Sequence, residues 1–180
     1  MKLLVTGGLG FIGSNFILNT LSKNEDISIT NLDDQLFGSN LKNLSEIKKS
    51  DRYEFVKGNI TNSELVEDLI KKCDAVVNFA AESHVDRSIH EAKPFVDSNI
   101  YGVLTILKSI RKFDKKLVHI STDEVFGSLE SKSADERFRF NPSSPYSASK
   151  ASSELLINSF IITYDCDCMI TRCTNNYGPR

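Results

Sequence analysis

Tyr146 and Lys150 are the side chains whose spacing points most directly to acid–base chemistry. They lie four residues apart, which on a helix puts both on one face. A phenol with its ordinary pKa of about 10 is a poor base at neutral pH, but a neighbouring ammonium group favours the phenolate. The pair therefore predicts removal of an alcohol proton by Tyr146, with Lys150 lowering the pKa of the phenol. The spacing also occurs by chance on surface helices, so the prediction depends on the surroundings.

A second candidate group is Thr122-Asp123-Glu124, which offers a hydroxyl and two adjacent carboxyls. Two carboxyls in different environments can hold opposite protonation states, one as acid and one as base, which loss of water requires. The alternative is that Ser121-x-x-Glu124 is a capping box. We predict a polar, mobile loop over residues 127–141, which leaves no helix to cap, so we favour the chemical interpretation.

Residues 2–13 predict the element that would serve these groups: a short apolar strand, a glycine turn and a helix that begins at once. The glycines fit both Gly8-x-Gly10-x-x-Gly13 and Gly7-x-x-Gly10-x-x-Gly13. Missing side chains let a backbone turn tightly and approach a diphosphate, and the helix then directs its free N–H groups at that anion. Such turns also occur for packing alone.

Asp33 supports the dinucleotide interpretation, because it follows Gly13 by 33 − 13 = 20 residues, near the expected spacing of about 20. A carboxylate at the end of the second strand can accept from both ribose hydroxyls of an adenosine, and it repels a 2′-phosphate. The sequence thus predicts NAD rather than NADP. The alternative is that Asp33 or Asp34 only opens a turn.

Apolar runs and helical stripes alternate along the rest of the chain. We predict further strands over residues 27–32, 53–57, 74–79, 117–120 and 166–173. Helices are expected over 41–48, from a cap at Thr61 to about residue 72, after Pro94 and after Ser144-Pro145. This alternation predicts an α/β fold, a doubly wound parallel sheet of the Rossmann type with strand order 3-2-1-4-5-6, in one domain over residues 1–180.

Composition narrows the partners. Lys and Arg number 22 against 24 Asp and Glu, so no basic excess favours nucleic acid, and no apolar run is long enough to cross a membrane. The four cysteines, Cys73, Cys166, Cys168 and Cys173, match no zinc pattern. We therefore expect no metal site and reduced cysteines in a cytoplasmic protein.

Together the motifs resemble the extended short-chain dehydrogenase/reductase family and, within it, the nucleotide-sugar 4,6-dehydratases. The most specific segments are residues 80–88 (AAESHVDRS), 121–127 (STDEVFG) and 143–150 (SSPYSASK). Sugar epimerases share the tyrosine and lysine but usually lack the Asp-Glu pair. Members of the family continue into a smaller region that binds the substrate's nucleotide. We therefore expect this chain to be an N-terminal fragment without that C-terminal substrate region.

The resemblance implies the members of an NAD site and a sugar site. The implied cofactor residues are Gly7, Gly10, Phe11, Ile12, Gly13, Asp33, Asp34, Gln35, Leu36, Asn59, Ile60, Phe79, Ala80, Ala81, Ser83, Ser98, Tyr146, Lys150 and Asn176. The implied substrate residues are Ser83, Thr122 and Asn175, and the implied catalytic residues are Thr122, Asp123, Glu124, Tyr146 and Lys150. The family usually has an aspartate at the position of Asn59. Since an amide can still accept from adenine, we expect a modest change in affinity.

The resemblance also implies a reaction, the dehydration of a nucleotide-activated hexose such as dTDP-glucose to its 4-keto-6-deoxy form. Tyr146 would take the C4 hydroxyl proton as hydride passes to NAD. Glu124 would then remove the C5 proton, while Asp123 protonates the departing C6 hydroxyl and the hydride returns to C6. The alternatives are a UDP-sugar 4-epimerase or decarboxylase of the same family, and an NAD-binding module without turnover.

We further predict a homodimer. The helices after Pro94 and Pro145 are expected side by side, and pairing with their symmetry mates would form a four-helix contact. The apolar surface that we expect to be free for this contact is Leu104, Ile106, Leu155, Leu156 and Phe160.

Overall fold

A parallel six-stranded sheet forms the centre of the molecule, described here from a computed structural model for residues 1–129 and 133–180. The strand order is β3-β2-β1-β4-β5-β6, and every neighbouring pair is parallel. The strands are β1 (Lys2–Thr6), β2 (Ser28–Asp33), β3 (Tyr53–Lys57), β4 (Ala75–Asn78), β5 (Lys116–Thr122) and β6 (Cys168–Cys173). The predicted doubly wound sheet with order 3-2-1-4-5-6 is confirmed.

Helices cover both faces of the sheet. They are α1 (Phe11–Lys23), α2 (Ser63–Lys72), α3 (Val85–His90), α4 (Lys93–Val96), α5 (Val103–Phe113) and α6 (Pro145–Tyr164). Alternate residues of β1 face opposite ways, so Leu4 packs in the core shared with α2, α5 and α6, while Leu3 and Val5 pack in the core beside α1. A central parallel strand is buried on both faces, which explains its unbroken apolar run.

Three local predictions differ from the structure. Residues 41–48 were expected as a helix, and Leu41–Ile47 forms a 3₁₀ helix instead. The cap of α2 is Asn62, which accepts from Leu65 N, rather than Thr61, because Thr61 is bonded to Asn59. The helix after Pro94 is not uniform, since a π-helical segment, Asp97–Gly102, separates α4 from α5.

The predicted loop over residues 127–141 is confirmed for residues 127–129 and 133–141, which carry no helix or strand, but its interpretation as polar and patternless is wrong. Residues 130–132 lie outside the described part of the chain. Phe126 contacts the rings of Phe138 and Phe140, with centroids 5.9 and 6.2 Å away, and Asn141 N donates to Val125 O. The segment that follows residue 132 is therefore anchored to the end of β5. The two phenylalanines, two residues apart, were the signal that a purely polar interpretation missed.

The surface proposed for dimer formation is only partly available. Ile106 and Phe160 are buried in the core of the single chain, at 0% and 9% exposure, because α5 and α6 pack directly on the sheet there. Leu104 and Leu156 are half-buried against the same core. Leu155, in contrast, is 59% exposed. Over residues 1–129 and 133–180, no helix combines the length and apolar character needed to span a bilayer.

Candidate active site

The glycines of the β1–α1 turn are explained first by packing within the chain. Gly7 has a φ of +72°, and a Cβ there would lie 2.5 Å from Ala80 N. A Cβ on Gly13 would lie 2.4 Å from Gly7 O, whereas one on Gly10 meets nothing closer than 3.5 Å. Gly10 therefore differs from the other two, because a Cβ there would make only an ordinary van der Waals contact.

Helix α1 begins at this turn without a side-chain cap. Gly10 occupies the cap position and makes no side-chain hydrogen bond. The first residues of the helix, Phe11, Ile12 and Gly13, line a cleft at the carboxyl end of the sheet. Uncapped N–H groups and the positive end of the helix dipole suit an anion such as a diphosphate.

Asp33 accepts hydrogen bonds that stabilise the β1–α1 turn, and it also lines the cleft. Its Oδ2 accepts from Leu9 N at 3.0 Å, and its Oδ1 accepts from Gln35 N and Ser39 Oγ, both at 2.8 Å. The side chain is buried, with 6% of its surface exposed. Each carboxylate oxygen can accept more than one hydrogen bond. Asp33 can therefore still meet a ribose hydroxyl, but part of its role is structural, which the spacing rule did not reveal.

Asn59 is engaged within the chain. Its Nδ2 donates to Asp34 Oδ2 at 2.8 Å, and its Oδ1 accepts from Thr61 N at 2.9 Å and Thr61 Oγ1 at 2.8 Å. An aspartate here would face the Asp34 carboxylate, and like charges in contact repel. The amide therefore suits this chain's own Asp34. Its oxygen, which we expected to accept from adenine, already has two donors.

Two adjoining pockets form one cleft along the carboxyl ends of the strands. They share six residues: Gly7, Asp33, Phe37, Ser39, Ala80 and Ala81. Of the predicted cofactor residues, the cleft brings together Gly7, Gly10, Phe11, Ile12, Gly13, Asp33, Asp34, Leu36, Asn59, Ile60, Phe79, Ala80, Ala81, Ser83, Ser98, Tyr146 and Lys150. The small side chains of Ala80 and Ala81 keep its floor open. Sequence reasoning missed Phe37, Ser39, Glu82, Ile120 and Ser121, which also line it.

Six predicted residues are placed outside this lining. Thr122, Asp123 and Glu124 lie at the end of β5, and Asp123 lines a separate pocket. Gln35 lies in the loop after β2, with a left-handed φ of 58°. Asn175 and Asn176 are exposed after β6, and Asn176 Nδ2 donates to Thr174 O at 2.9 Å. The chain then passes the start of α1, where Asn15 Nδ2 donates to Pro179 O at 2.8 Å.

Tyr146 is fixed at the first turn of α6. Ser144 caps the helix, as predicted, in a reciprocal capping box with Ser147. The backbone N–H of Tyr146 donates to the buried Ser88 Oγ at 3.1 Å, which ties the first turn of α6 to α3. The tyrosine side chain is 8% exposed.

The electrostatics of Tyr146 oppose the prediction made from its spacing with Lys150. Burial and the nearby Glu124 carboxylate raise the pKa of Tyr146, and a hydrogen bond with Thr122 lowers it only in part. The Lys150 charge is not among the causes of this shift, and Lys150 Nζ donates to Ile120 O at 2.6 Å. Burial lowers the pKa of Lys150 itself to about 8.

Thr122, Asp123 and Glu124 form the start of a 3₁₀ turn, Asp123–Phe126, at the end of β5. We had expected no helix here. Thr122 Oγ1 caps this turn by accepting from Glu124 N at 3.2 Å. Burial, followed by the neighbouring Asp123 charge, raises the pKa of Glu124. A carboxylate with a raised pKa is a stronger base when ionised.

Asn99 links the cleft to α6, the helix that carries Tyr146 and Lys150. Its Oδ1 accepts from Glu82 N and its Nδ2 donates to Glu82 O, both at 2.9 Å, as a backbone partner would. The same Nδ2 donates to Ser149 Oγ at 2.8 Å. Asn99 lies in the π-helical segment and is 1% exposed. The loop that carries Ala81 and Ser83 is thus held at a fixed distance from α6.

A buried ion pair between α6 and β6 contacts the end of β5. The Glu154 carboxylate is fully buried and accepts from Arg172 Nη2 at 2.7 Å and Nε at 2.9 Å. Its other oxygen accepts from Ser121 Oγ at 2.5 Å. The Arg172 guanidinium lies 5.1 Å from the Phe126 ring and donates to Glu136 O. The pair therefore joins α6, β5, β6 and the segment after residue 132.

The sheet and the cleft are those of the short-chain dehydrogenases/reductases, a class of Rossmann-fold proteins that carry a tyrosine and a lysine on one helix beside a dinucleotide site. The sequence profile of the GDP-mannose 4,6 dehydratase family matches residues 4–180, and the chain belongs to this family.

Relatives with known names agree with this placement. The chain is 44% identical over 185 residues to the dTDP-glucose 4,6-dehydratase of Mycobacterium tuberculosis, across 99% of this chain and 54% of that protein. The crystal structure of the dTDP-glucose 4,6-dehydratase DesIV from Streptomyces venezuelae, with NAD bound, superposes with a TM-score of 0.96. Its sequence identity is 43%, and the match covers 99% of this chain and 57% of that one.

An epimerase is also similar. The UDP-glucose 4-epimerase of Thermus thermophilus, in complex with NAD, has a TM-score of 0.88 and 30% identity, across all of this chain and 57% of the epimerase. The chain thus spans little more than half the length of the proteins it matches.

Proposed function

We propose that this protein binds NAD and, at the length of its relatives, dehydrates a nucleotide-activated hexose, with dTDP-glucose as the substrate. The observation that carries the proposal is the position of Asp123 and Glu124. They follow Thr122, which lowers the pKa of Tyr146, and their own charges raise that pKa, so all three residues lie near the phenol. A base for oxidation, which lines the cleft, and two carboxyls for loss of water, of which Asp123 lines a separate pocket, are thus close together.

The chain's own residues suit NAD. The uncapped start of α1, with Gly10 at its cap position, would hold the diphosphate, and Asp33 would accept from the adenosine ribose. Lys150, which lines the cleft, would donate to the ribose on the nicotinamide side. NAD, when bound, supplies the acceptor for a hydride from C4 and returns that hydride to C6.

The roles that we propose for the catalytic residues follow the order of the reaction. Thr122 binds the C4 hydroxyl and Tyr146 removes its proton. Because burial and Glu124 raise the pKa of Tyr146, the phenolate depends on positive charge brought to the cleft with the cofactor. Glu124 then removes the C5 proton, and Asp123 protonates the departing C6 hydroxyl. Ser83 and Asn175 would hold the sugar, and Asn176 the nicotinamide side.

We predict that the 180-residue chain binds NAD at least about tenfold more tightly than NADP, a difference of about 1.4 kcal/mol. The reason is that the Asp33 carboxylate accepts from ribose hydroxyls and repels a 2′-phosphate. Calorimetric titration of both cofactors measures this. Asp33→Asn should reduce the ratio of the affinity for NAD to the affinity for NADP. Thermal unfolding of that variant separates a loss of discrimination from a loosened turn, because Asp33 also holds Leu9 N. Equal or tighter binding of NADP would refute the assignment.

The chain by itself is predicted to have negligible dehydratase activity while it retains NAD affinity. The region of the relatives beyond its match is expected to bind the nucleotide of the substrate, and remote binding energy of this kind lowers the barrier at the reacting centre. Closure over the site would be missing as well, which leaves the 4-keto intermediate open to water. The assay supplies dTDP-glucose to the chain. Near-normal turnover would mean that the substrate site is complete within residues 1–180.

The second candidate is 4-epimerisation or decarboxylation of a UDP-sugar, which the similarity to an epimerase keeps open. The Asp123-Glu124 pair favours dehydration, because epimerisation needs no acid and base for loss of water. Product analysis decides between them in a protein of the relatives' length, with dTDP-glucose and UDP-glucose supplied separately. A 4-keto-6-deoxy product supports dehydration, and a C4 epimer of UDP-glucose contradicts it.

We also propose a homodimer and a cytoplasmic location. The exposed Tyr101, Leu155 and Ile162, with the half-buried Leu104, leave apolar surface on the side of α5 and α6. Light scattering tests this proposal, and a monomer alone would contradict it. The cytoplasmic location rests on four cysteines that are all free thiols.

A further inference from the structure

A row of polar side chains crosses the otherwise apolar centre of the sheet. Thr6, Asn78 and His119 are direct neighbours in register on β1, β4 and β5. Thr6 Oγ1 donates to Asn78 Oδ1 at 2.5 Å, and Asn78 Nδ2 lies 2.9 Å from His119 Nδ1. All three residues are at most 1% exposed. Buried polar groups are costly unless they are paired, so this row needs an explanation that packing does not give.

The row ends at the catalytic helix. His119 Nε2 lies 3.3 Å from Lys150 Nζ and 3.3 Å from Ser153 Oγ. Ser153 Oγ donates to Lys150 O at 2.7 Å, so its oxygen remains free to accept from the ring. None of Thr6, Asn78 and His119 has a part in the reaction proposed above.

The hydrogen bonds of the row determine the tautomer of His119. An amide nitrogen can only donate, so Nδ1 must accept from Asn78. Burial, followed by the Lys150 charge, holds the pKa of His119 well below its usual range, so the ring is neutral. A neutral imidazole has one proton, and here it must lie on Nε2, facing Lys150 and Ser153.

We propose that His119, held as its Nε2–H tautomer by Thr6 and Asn78, is a positioning residue for Lys150. Because the ring presents a donor, Lys150 cannot donate to it. The amine therefore donates to Ile120 O, at 2.6 Å, while Lys150 lines the cleft. The inference rests on the proposed function only for what Lys150 would meet there, a ribose of NAD.

The same geometry determines in which direction the pKa of Lys150 would shift if the tautomer of His119 changed. Besides His119 on β5, the charged or titratable groups that face Lys150 are Glu154 on α6 and Cys173 on β6, both of which raise its pKa. A ring N–H disfavours the ammonium form and can donate to the neutral amine. If Nε2 became an acceptor, the ammonium form would be favoured and the pKa of Lys150 would rise.

Asn78→Asp tests this directly. A carboxylate at this position can only accept, so it should take the ring proton on Nδ1 and leave Nε2 as an acceptor. NMR correlations of the imidazole nitrogens report the tautomer, and the chain has only three histidines, so His119→Gln identifies the signal. The titration of Lys150 is followed through its ε-carbon.

We expect the ring proton of His119 on Nε2 in the unmodified chain and on Nδ1 in Asn78→Asp. The proton affinity of Lys150 should rise at least about tenfold, or one pH unit.

The added carboxylate also acts on Lys150 through space, and a double variant separates the two effects. In the His119→Gln background there is no ring to switch, so Asn78→Asp should raise the proton affinity of Lys150 much less. An equal rise in both backgrounds would overturn the proposal. A finding of Nδ1–H in the unmodified chain would overturn it whether or not the variants fold. None of these measurements uses NAD, so a failure of the cofactor proposal would be seen separately.

Discussion

Replacement of Arg172 by methionine is expected to lower the free energy of unfolding by about 3–5 kcal/mol. The Glu154 carboxylate is fully buried, and Arg172 provides two of its close donors. Methionine keeps much of the volume but leaves that negative charge in the core, where Ser121 Oγ is the one remaining donor among the residues that the structure describes. Denaturant unfolding of the two proteins measures the loss.

Two controls make the result specific to the buried charge. Lys116→Met breaks an exposed ion pair between Lys116 and Asp167, whose side chains are 72% and 63% exposed, and should leave the free energy of unfolding nearly unchanged. The double variant Arg172→Met/Glu154→Leu removes both charges and should recover most of the stability. A cost for Arg172→Met as small as that for Lys116→Met would show that Glu154 finds water or another partner.

The second large effect is expected at Tyr146, in a protein of the relatives' length. Tyr146→Phe should slow the first hydride transfer by about 10²–10⁴-fold, the usual contribution of a general base. The phenylalanine keeps the packing against Phe95 and loses only the hydroxyl. Rapid-mixing absorbance of the reduced nicotinamide follows this step alone.

Asp123→Asn and Glu124→Gln are the matched variants, because these carboxyls act after oxidation. Both should form reduced cofactor at a near-normal rate and then accumulate it as elimination slows. If Tyr146→Phe forms reduced cofactor as fast as the unmodified protein, the assigned base is wrong. If the two carboxyl variants fail at the same first step, their proposed separation from Tyr146 is wrong.

The sequence predicts the elements of this fold well where one local pattern decides them. The apolar runs gave the six strands and their order, and Ser144-Pro145 gave the start of α6. The π-helical segment was not predictable from the regular apolar stripe after Pro94. Its consequence, the placement of Asn99 against Glu82, depends on how two elements meet.

The prediction of a lowered pKa for Tyr146 failed because burial is the largest cause of the shift. The four-residue spacing of Tyr146 and Lys150 predicts a shared face, but it does not say that Lys150 turns to Ile120 O or that burial raises the pKa of the phenol. A signal for the polar row was present, since Thr6, Asn78 and His119 each interrupt or end an apolar strand. Only the register of the strands, which the sequence does not contain, shows that they touch.

The glycine turn has a consequence for how such chains could change over evolutionary time. Side chains at Gly7 and Gly13 would collide with this chain's own backbone, so purifying selection for folding alone would retain both glycines. A descendant that no longer bound a dinucleotide should keep them and still carry most of the motif. Gly10, where a Cβ would meet nothing closer than 3.5 Å, is the position at which a side chain could be added without a collision. Among descendants of this chain that no longer bind a dinucleotide, a substitution at Gly10 should therefore appear earlier than one at Gly7 or Gly13.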